Sequence, residues 1–252
     1  MTQDRAETPS PLAPLTEDWD RALCVVAHPD DLEFGAAAAV ARWTGQGKQV
    51  VYCMVTSGEA GIDALPPEEC GPLREAEQVE AARLVGVREV EFLRMPDGVL
   101  EYGVDLRRRI AHVVRRHRPD VVVTANHRET WGGRTRNQAD HVAVGRAVLD
   151  AVGDAGNRWV HREQLVDGLA PWGGVREVWL FGSPEATHAV DTTGTLDAGV
   201  ASLEAHRAYL DGLGWEGFDA GEFLEGISRP TGQRLGVAHA AAFEVVPTGW
   251  GE

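Results

Sequence analysis

Short apolar runs rich in β-branched residues alternate along this chain with longer helix-forming segments, and that alternation leaves few folds open. Strands read as Leu23–Ala27, Gln49–Thr56, Glu89–Leu93, Asp120–Ala125 and Glu177–Phe181. Helices read as Phe34–Thr44, Pro67–Val85, Val104–His117 and Ala139–Val152, the second ending at Gly86 and the third before Pro119. Strands separated by helices pair in parallel and need cover on both faces. The expected fold is therefore α/β: a Rossmann-like single domain, mostly parallel sheet with helices on both faces. A further helix from about Thr195 to Leu210 and a strand-like run, Ala241–Val246, complete the pattern. No Pro/Ser-rich linker divides the 252 residues, so residues 21–252 are expected to form one domain after a flexible, polar segment 1–20.

The first strand ends abruptly in His28-Pro29-Asp30-Asp31. Pro29 has no backbone N–H and biases His28 toward an extended conformation, so the strand stops there. A helix from Phe34 puts both carboxylates near its N-terminus, where negative charge is favoured. On that ground alone Asp30 and Asp31 are helix caps and His28 a turn histidine. The strand context and a distant His141 favour a chemical role instead. His28 and Asp31, three residues apart across a tight turn, can converge on one cation, leaving Asp30 free for proton transfer. A catalytic zinc usually takes three protein ligands and keeps a fourth position for water. His141, in Asn137-Gln138-Ala139-Asp140-His141, fits as the third ligand because it opens the helix after the fourth strand. The loops at the carboxyl ends of the early strands gather at that edge, where open α/β sheets bind ligands. Two imidazoles and one carboxylate suit Zn2+, and also accept Fe(II), Co(II) or Mn(II). Such a metal lowers the pKa of its water to about 7 and polarises a carbonyl, with Asp30 placed to take the proton. Hydrolysis of an amide or ester follows.

The element Ala27-His28-Pro29-Asp30-Asp31, together with Thr56-x-Gly58-Glu59-x-Gly61, Arg74-Glu75-x-Glu77 and a late Asp140-His141, resembles the LmbE/PIG-L zinc deacetylase family from about residue 22 to 246. That resemblance implies removal of an acetyl group from N-acetylglucosaminyl compounds, or cleavage of the amide in sugar–thiol conjugates. It implies His28, Asp31 and His141 as zinc ligands, Asp30 as the base, and Arg74 and Asp97 as sugar contacts. One departure stands out. The family often carries His-Pro-Asp-His at the third-ligand motif, and this chain has Gln138 in place of the first histidine. Glutamine can donate to an oxyanion but cannot deliver a proton at neutral pH. His239, in Gly236-Val237-Ala238-His239, is the candidate acid, with His188 and His127 as competitors and Asp30 as the alternative shuttle.

Weaker candidates have structural readings beside the functional ones. Arg74 can pair with Glu77 or Gln78, Asp97 before Gly98 is a good turn residue, and Glu59 can shape the pocket. Arg107-Arg108-Arg109 and Arg115-Arg116-His117-Arg118 read as a solvated helix face. Trp131, Arg134 and Arg136 read as a lid loop before the third ligand, and Trp172 and Trp215 as packing or rim residues.

A net charge of −15 excludes nucleic acid or an anionic membrane as the main partner, leaving a small N-acylated molecule, and a homo-oligomer is compatible with the chain. Cys24, Cys53 and Cys70 form no CxxC pair and read as buried reduced thiols. Together with the lack of a signal pattern or bilayer-spanning run, this leads to an expected cytoplasmic location. Three rivals to the deacetylase reading share some of these features. They are a metal-dependent amidase of sugar–thiol or cysteine conjugates, a catalytically impaired metal-binding family member, and a nucleotide-binding Rossmann protein, which lacks its GxGxxG here.

Overall fold

A computed structural model describes residues 10–133 and 135–249. Along the chain run β1 (Ala13–Pro14), β2 (Arg21–Val26), α1 (Ala37–Gly45), β3 (Gln49–Met54), α2 (Pro67–Leu84) and β4 (Glu89–Phe92). Next come α3 (Val104–His117), β5 (Val121–Ala125), a hairpin of β6 (Thr130–Gly132) and β7 (Thr135–Arg136), α4 (Ala139–Gly156) and α5 (Glu163–Val166). The last third holds β8 (Glu177–Phe181), β9 (His188–Asp191), α6 (Leu196–Glu204), α7 (Arg207–Gly212), α8 (Ala220–Leu235) and β10 (Ala240–Pro247).

Eight strands form one sheet in the order β1-β9-β10-β8-β5-β2-β3-β4. β4, β3, β2, β5 and β8 are mutually parallel, while β10 runs antiparallel to both β8 and β9. The expected mostly parallel α/β domain is what the chain forms. From β2 it winds outward through β3 and β4, then crosses back to β5 and β8 on the other side. The winding reverses between β2 and β5, and a ligand crevice opens at such a switch point.

Alternation along the central strands builds two cores. Ala22, Cys24 and Val26 of β2, with Val50, Tyr52 and Met54 of β3, face α1 and pack with Trp19, Trp43, Trp179 and Phe243. Leu23, Val25, Val51 and Cys53 face the other way, onto Leu106 and Ile110 of α3 and Val144 and Val148 of α4. Each such large apolar side chain contributes roughly 1.5–3 kcal/mol on burial. Cys24, Cys53 and Cys70 are buried and unpaired, and burial pushes the Cys24 and Cys53 thiols upward.

Several expectations need correcting. The first helix starts at Ala37, not Phe34, because Asp30 takes a left-handed backbone (φ 89°) and the chain makes successive turns before α1. Asp30 and Asp31 therefore do not cap it. The helix expected over 195–210 breaks in two at Ala205 and His206. α8 escaped reading because its glycines and Pro230 disguise a 16-residue helix. Arg115 is no surface residue. It is 2% exposed, and its guanidinium donates to the carbonyls of Asp154, Ala155, Asn157, Val160 and His161, tying down the loop after α4. Its neighbours on α3 do form surface pairs, Arg108 and Arg109 with Asp105 and Arg116 with Glu91. Of the segment 1–20 expected to be flexible, residues 1–9 lie outside the described residues. Leu12, Leu15 and Trp19 are buried, and β1 pairs with β9.

Candidate active site

His28 lies just past the end of β2, and Asp30 and Asp31 continue into the turns before α1. Asp31 folds back so that its Oδ2 accepts from the His28 backbone N–H at 2.9 Å, which closes the loop locally. His141 comes from the first turn of α4, entered from β5 through the hairpin. The switch point thus brings together residues over a hundred positions apart. His28 Nδ1 lies 3.2 Å from His141 Nε2, and His141 Nε2 lies 2.9 Å from Asp31 Oδ1. Donors about 2.0–2.1 Å from a tetrahedral zinc are themselves about 3.3 Å apart, so these three residues fit a single ion of that kind.

The outward nitrogens support the same assignment. His141 Nδ1 faces Asn137 Oδ1 at 2.9 Å, and Asn137 is itself held by donating to the carbonyls of Asn126 and Arg128. His28 Nε2 faces Asp97 Oδ1 at 3.1 Å and Asp140 Oδ2 at 3.4 Å. Carboxylate and carboxamide oxygens only accept, so the ring protons belong on these outer nitrogens. The inner nitrogens, His28 Nδ1 and His141 Nε2, then face each other and the Asp31 carboxylate, the side on which the three residues can hold a metal ion. Asp140 is anchored by the backbone N–H groups of Gly98 and Leu100. Burial lowers His28, but Asp140, Asp31 and Asp97 outweigh it and hold the imidazole well above its usual value. Burial likewise raises Asp31, yet His141 and His28 bring its carboxyl below the ordinary range. So many buried carboxylates demand positive charge in their midst.

Asp30 stands beside the cluster in a different setting. Its backbone N–H donates to Gln78 Oε1 at 2.8 Å, which stabilises the left-handed φ that a non-glycine residue rarely adopts. Its Oδ2 accepts from Arg74 Nη2 at 2.6 Å. Burial pushes its carboxyl up to about 6, against the opposing pull of Arg74, and the nearby Asp31 charge adds to the rise. Arg74 is 2% exposed, donates also to the Pro29 carbonyl, and lies 3.8 Å from the centre of the Tyr209 ring. Gly61 permits this, since a Cβ there would overlap Arg74 Nη1. Behind Asp30, Gln78 Nε2 donates to the fully buried Glu33, whose Oε2 lies 3.6 Å from His206 Nε2.

Other expected site residues fall as follows. Gln138 is exposed and lines the cavity above the cluster. Arg74 and Asp97 line it too, but their bonds run within the protein: Arg74 to Asp30, Asp97 to the Ala60 N–H and to His28. Glu59 accepts from the N–H groups of Asp97 and Ser57, which shapes the loop. His239 is not brought to the cluster. It begins the approach to β10, its Nδ1 sits 3.1 Å from Ser228 Oγ, and it does not line the cavity. Neither His188, beside Thr187 on β9, nor His127 does so. Trp131 lies on the β6–β7 hairpin against the His141 ring, with centroids 5.6 Å apart, and rests on Gly182. Arg134 lies outside the described residues, and Arg136 is exposed away from the cavity. Sequence reasoning missed Asn137, Gln78, Glu33, His206 and Tyr209. Asn137 had a signal in its place four residues before His141, whereas the others contact the site only through the fold.

Comparisons with known proteins place the chain in a family. The family model described as PIG-L, GlcNAc-PI de-N-acetylase, matches residues 23–152. The chain is 25% identical to a diacetylchitobiose deacetylase of Thermococcus kodakarensis over 91% of its own length and 84% of the relative. It is 31% identical to a 1D-myo-inositol 2-acetamido-2-deoxy-alpha-D-glucopyranoside deacetylase of Kineococcus radiotolerans, over 75% of this chain and 69% of that one. In fold it resembles the N,N'-diacetylchitobiose deacetylase of Pyrococcus horikoshii, with a TM-score of 0.84, 24% identity and coverage of 92% and 85% of the two chains. By its sequence motif, its sheet and these matches, the chain belongs to the PIG-L family.

Proposed function

We propose that this protein is a zinc-dependent hydrolase that removes an N-acetyl group from an amino sugar or a related small metabolite. The observation that carries this reading is the pair of inner imidazole nitrogens facing each other beside Asp31, with an uncoordinated, buried Asp30 next to them. His28, Asp31 and His141 would hold the ion, and two imidazoles with one carboxylate favour zinc. Bound there, zinc would acidify a water and polarise the amide carbonyl. Asp30, buried beside that site and not needed to hold the ion, would accept a proton from the attacking water as the water oxygen bonds to the acyl carbon. Arg74 keeps Asp30 aimed, and the Gln138 amide, which lines the cavity, would donate to the negative charge developing on the amide oxygen. The C–N bond then breaks, and Asp30 returns the proton to the departing amine. With His239 turned to Ser228, Asp30 serves both proton transfers.

The test is a screen of N-acetylated sugars and cysteine conjugates with zinc-loaded protein, read as acetate or amine released. Asp30→Asn retains shape but accepts no proton, so metal content should be unchanged and turnover lowered by roughly 10²–10⁴. Near wild-type turnover in that variant would remove Asp30 from the chemistry. Turnover confined to the conjugates would replace the deacetylase reading with the amidase, and metal binding with no turnover would leave an impaired family member.

A further inference from the structure

Above the polar floor of His28, Asp30, Asp31 and His141 opens one continuous cavity of about 1040 Å³. That is at the upper end of the roughly 300–1,000 Å³ that takes drug-sized ligands. An N-acetylated monosaccharide would leave much of it empty. One wall is apolar, built by Phe34 with Leu213 and Trp215 from the segment after α7 and Phe223, Leu224 and Ile227 from α8. Phe34 lies 5.5 Å from Phe223 and 6.5 Å from Trp215, ring centre to ring centre. Phe223, Ile227 and Trp215 are 36%, 43% and 53% exposed, so large apolar surface is left open toward the candidate site. Such a patch marks a place where a ligand is expected to bury it.

The same wall offers little to a polar ligand. Ser228 is bonded to His239, and the Thr231 hydroxyl donates to the Ile227 carbonyl. A second sugar or an inositol seated there would bury hydroxyls without partners, at a cost in binding. Charge is unwelcome as well. Among the described lining residues the one guanidinium is Arg74, which Asp30 occupies, while Asp30, Asp31, Glu33 and Asp97 all carry carboxylates. A phosphate or carboxylate on the substrate would find no free side-chain cation among those residues.

Building on the deacetylase reading, we infer that the substrate is amphiphilic. Its N-acetylated head sits at the metal ligands, and an uncharged alkyl or aryl aglycone on the amine side of the scissile bond packs against the Phe34–Phe223–Ile227 wall. An acetyl group needs little space, so the rest of the substrate must fill the cavity.

The experiment compares four substrates with zinc-loaded full-length protein: the hexyl and methyl glycosides of N-acetylglucosamine, diacetylchitobiose, and a methyl glycoside bearing N-hexanoyl in place of N-acetyl. Calorimetry with Asp30→Asn measures binding of the first two without turnover. The hexyl glycoside should exceed the methyl glycoside and diacetylchitobiose in kcat/KM by on the order of 10–100-fold, with a matching preference in Kd. In the Phe223→Asn/Ile227→Asn protein, whose altered positions are part-exposed, the hexyl preference should fall to within about threefold with metal content and melting temperature retained. Equal rates on hexyl and methyl glycosides would overturn the inference and leave the deacetylase reading intact. So would preference for diacetylchitobiose, which would put a sugar on the wall, or for the N-hexanoyl compound, which would put the apolar group on the acyl side. No turnover with hexyl-selective binding would sink the deacetylase reading and keep the apolar seat. No turnover and no selectivity would sink both.

Discussion

Arg74 reaches Asp30 from α2, forty-four residues downstream, and its guanidinium has an aromatic ring on one side and a glycine loop on the other. It opposes the burial that lifts the Asp30 carboxyl, so removing it should lift that carboxyl further above about 6. A base works deprotonated, and activity must therefore rise with pH through its pKa. In Arg74→Gln the acid limb of kcat/KM should move to higher pH, each unit of movement costing about tenfold in rate below the limb. A limb that stays in place would show that Asp30 does not set it. Gly61→Val attacks the same contact from outside, because the added side chain must displace the guanidinium. It should reproduce the shift of Arg74→Gln without touching a titratable group, and a wild-type pH profile in Gly61→Val would show that the guanidinium tolerates the crowding.

At the scale of elements, the break between α6 and α7 positions more than it interrupts. It drops His206 into a fully buried place against Glu33 and sends Tyr209 over Arg74. Burial alone would lower His206, but Glu33 outweighs it and the imidazole ends above 6.5. A raised histidine binds its proton more tightly in the folded state. Its contribution to stability is therefore complete below about pH 6.5 and is lost as pH climbs through the folded value. Thermal melts between pH 6 and 8.5 should show wild-type melting temperature falling with pH more than that of His206→Gln. Parallel curves would mean that folding leaves the affinity of His206 for its proton unchanged. The hairpin β6–β7 also does more than connect: it carries Trp131 onto His141 and delivers the chain to α4 with Asn137 set behind that imidazole.

For the whole molecule, the proposed metal site ties ligand binding to folding, because its three donors come from the turn after β2 and the first turn of α4 and meet only in the folded chain. A ligand that binds only the native state stabilises it by about 2.7 kcal/mol at a hundred times its Kd. For a domain of this size that is roughly 5–10 °C in melting temperature. Zinc added after chelation should restore such a shift in the wild type and fail to do so in His141→Ala. A full shift in His141→Ala would remove that residue from the ligand set. No helix among the described residues is long and apolar enough to cross a membrane.

The sequence alone determined the strands whose apolar runs were bounded by breakers, the parallel pairing that separating helices impose, and the three residues, His28, Asp31 and His141, that the fold brings together. These were legible because their signals are local: β-branched period, proline and glycine stops, and a histidine and carboxylate compressed into one turn at His28–Asp31. Only the tertiary structure decided what surrounds them. The Asp30 backbone flips to positive φ because Gln78 and Arg74, both on α2, hold it there, and no feature of residues 28–36 announces those partners. Arg115 looked like one member of a solvated basic run until the α4 carbonyls closed around it. His239 resembled a late catalytic histidine, yet β10 and α8 together turn it toward Ser228. Side-chain direction and burial come from elements that meet across long separations, and local sequence carries no record of the meeting.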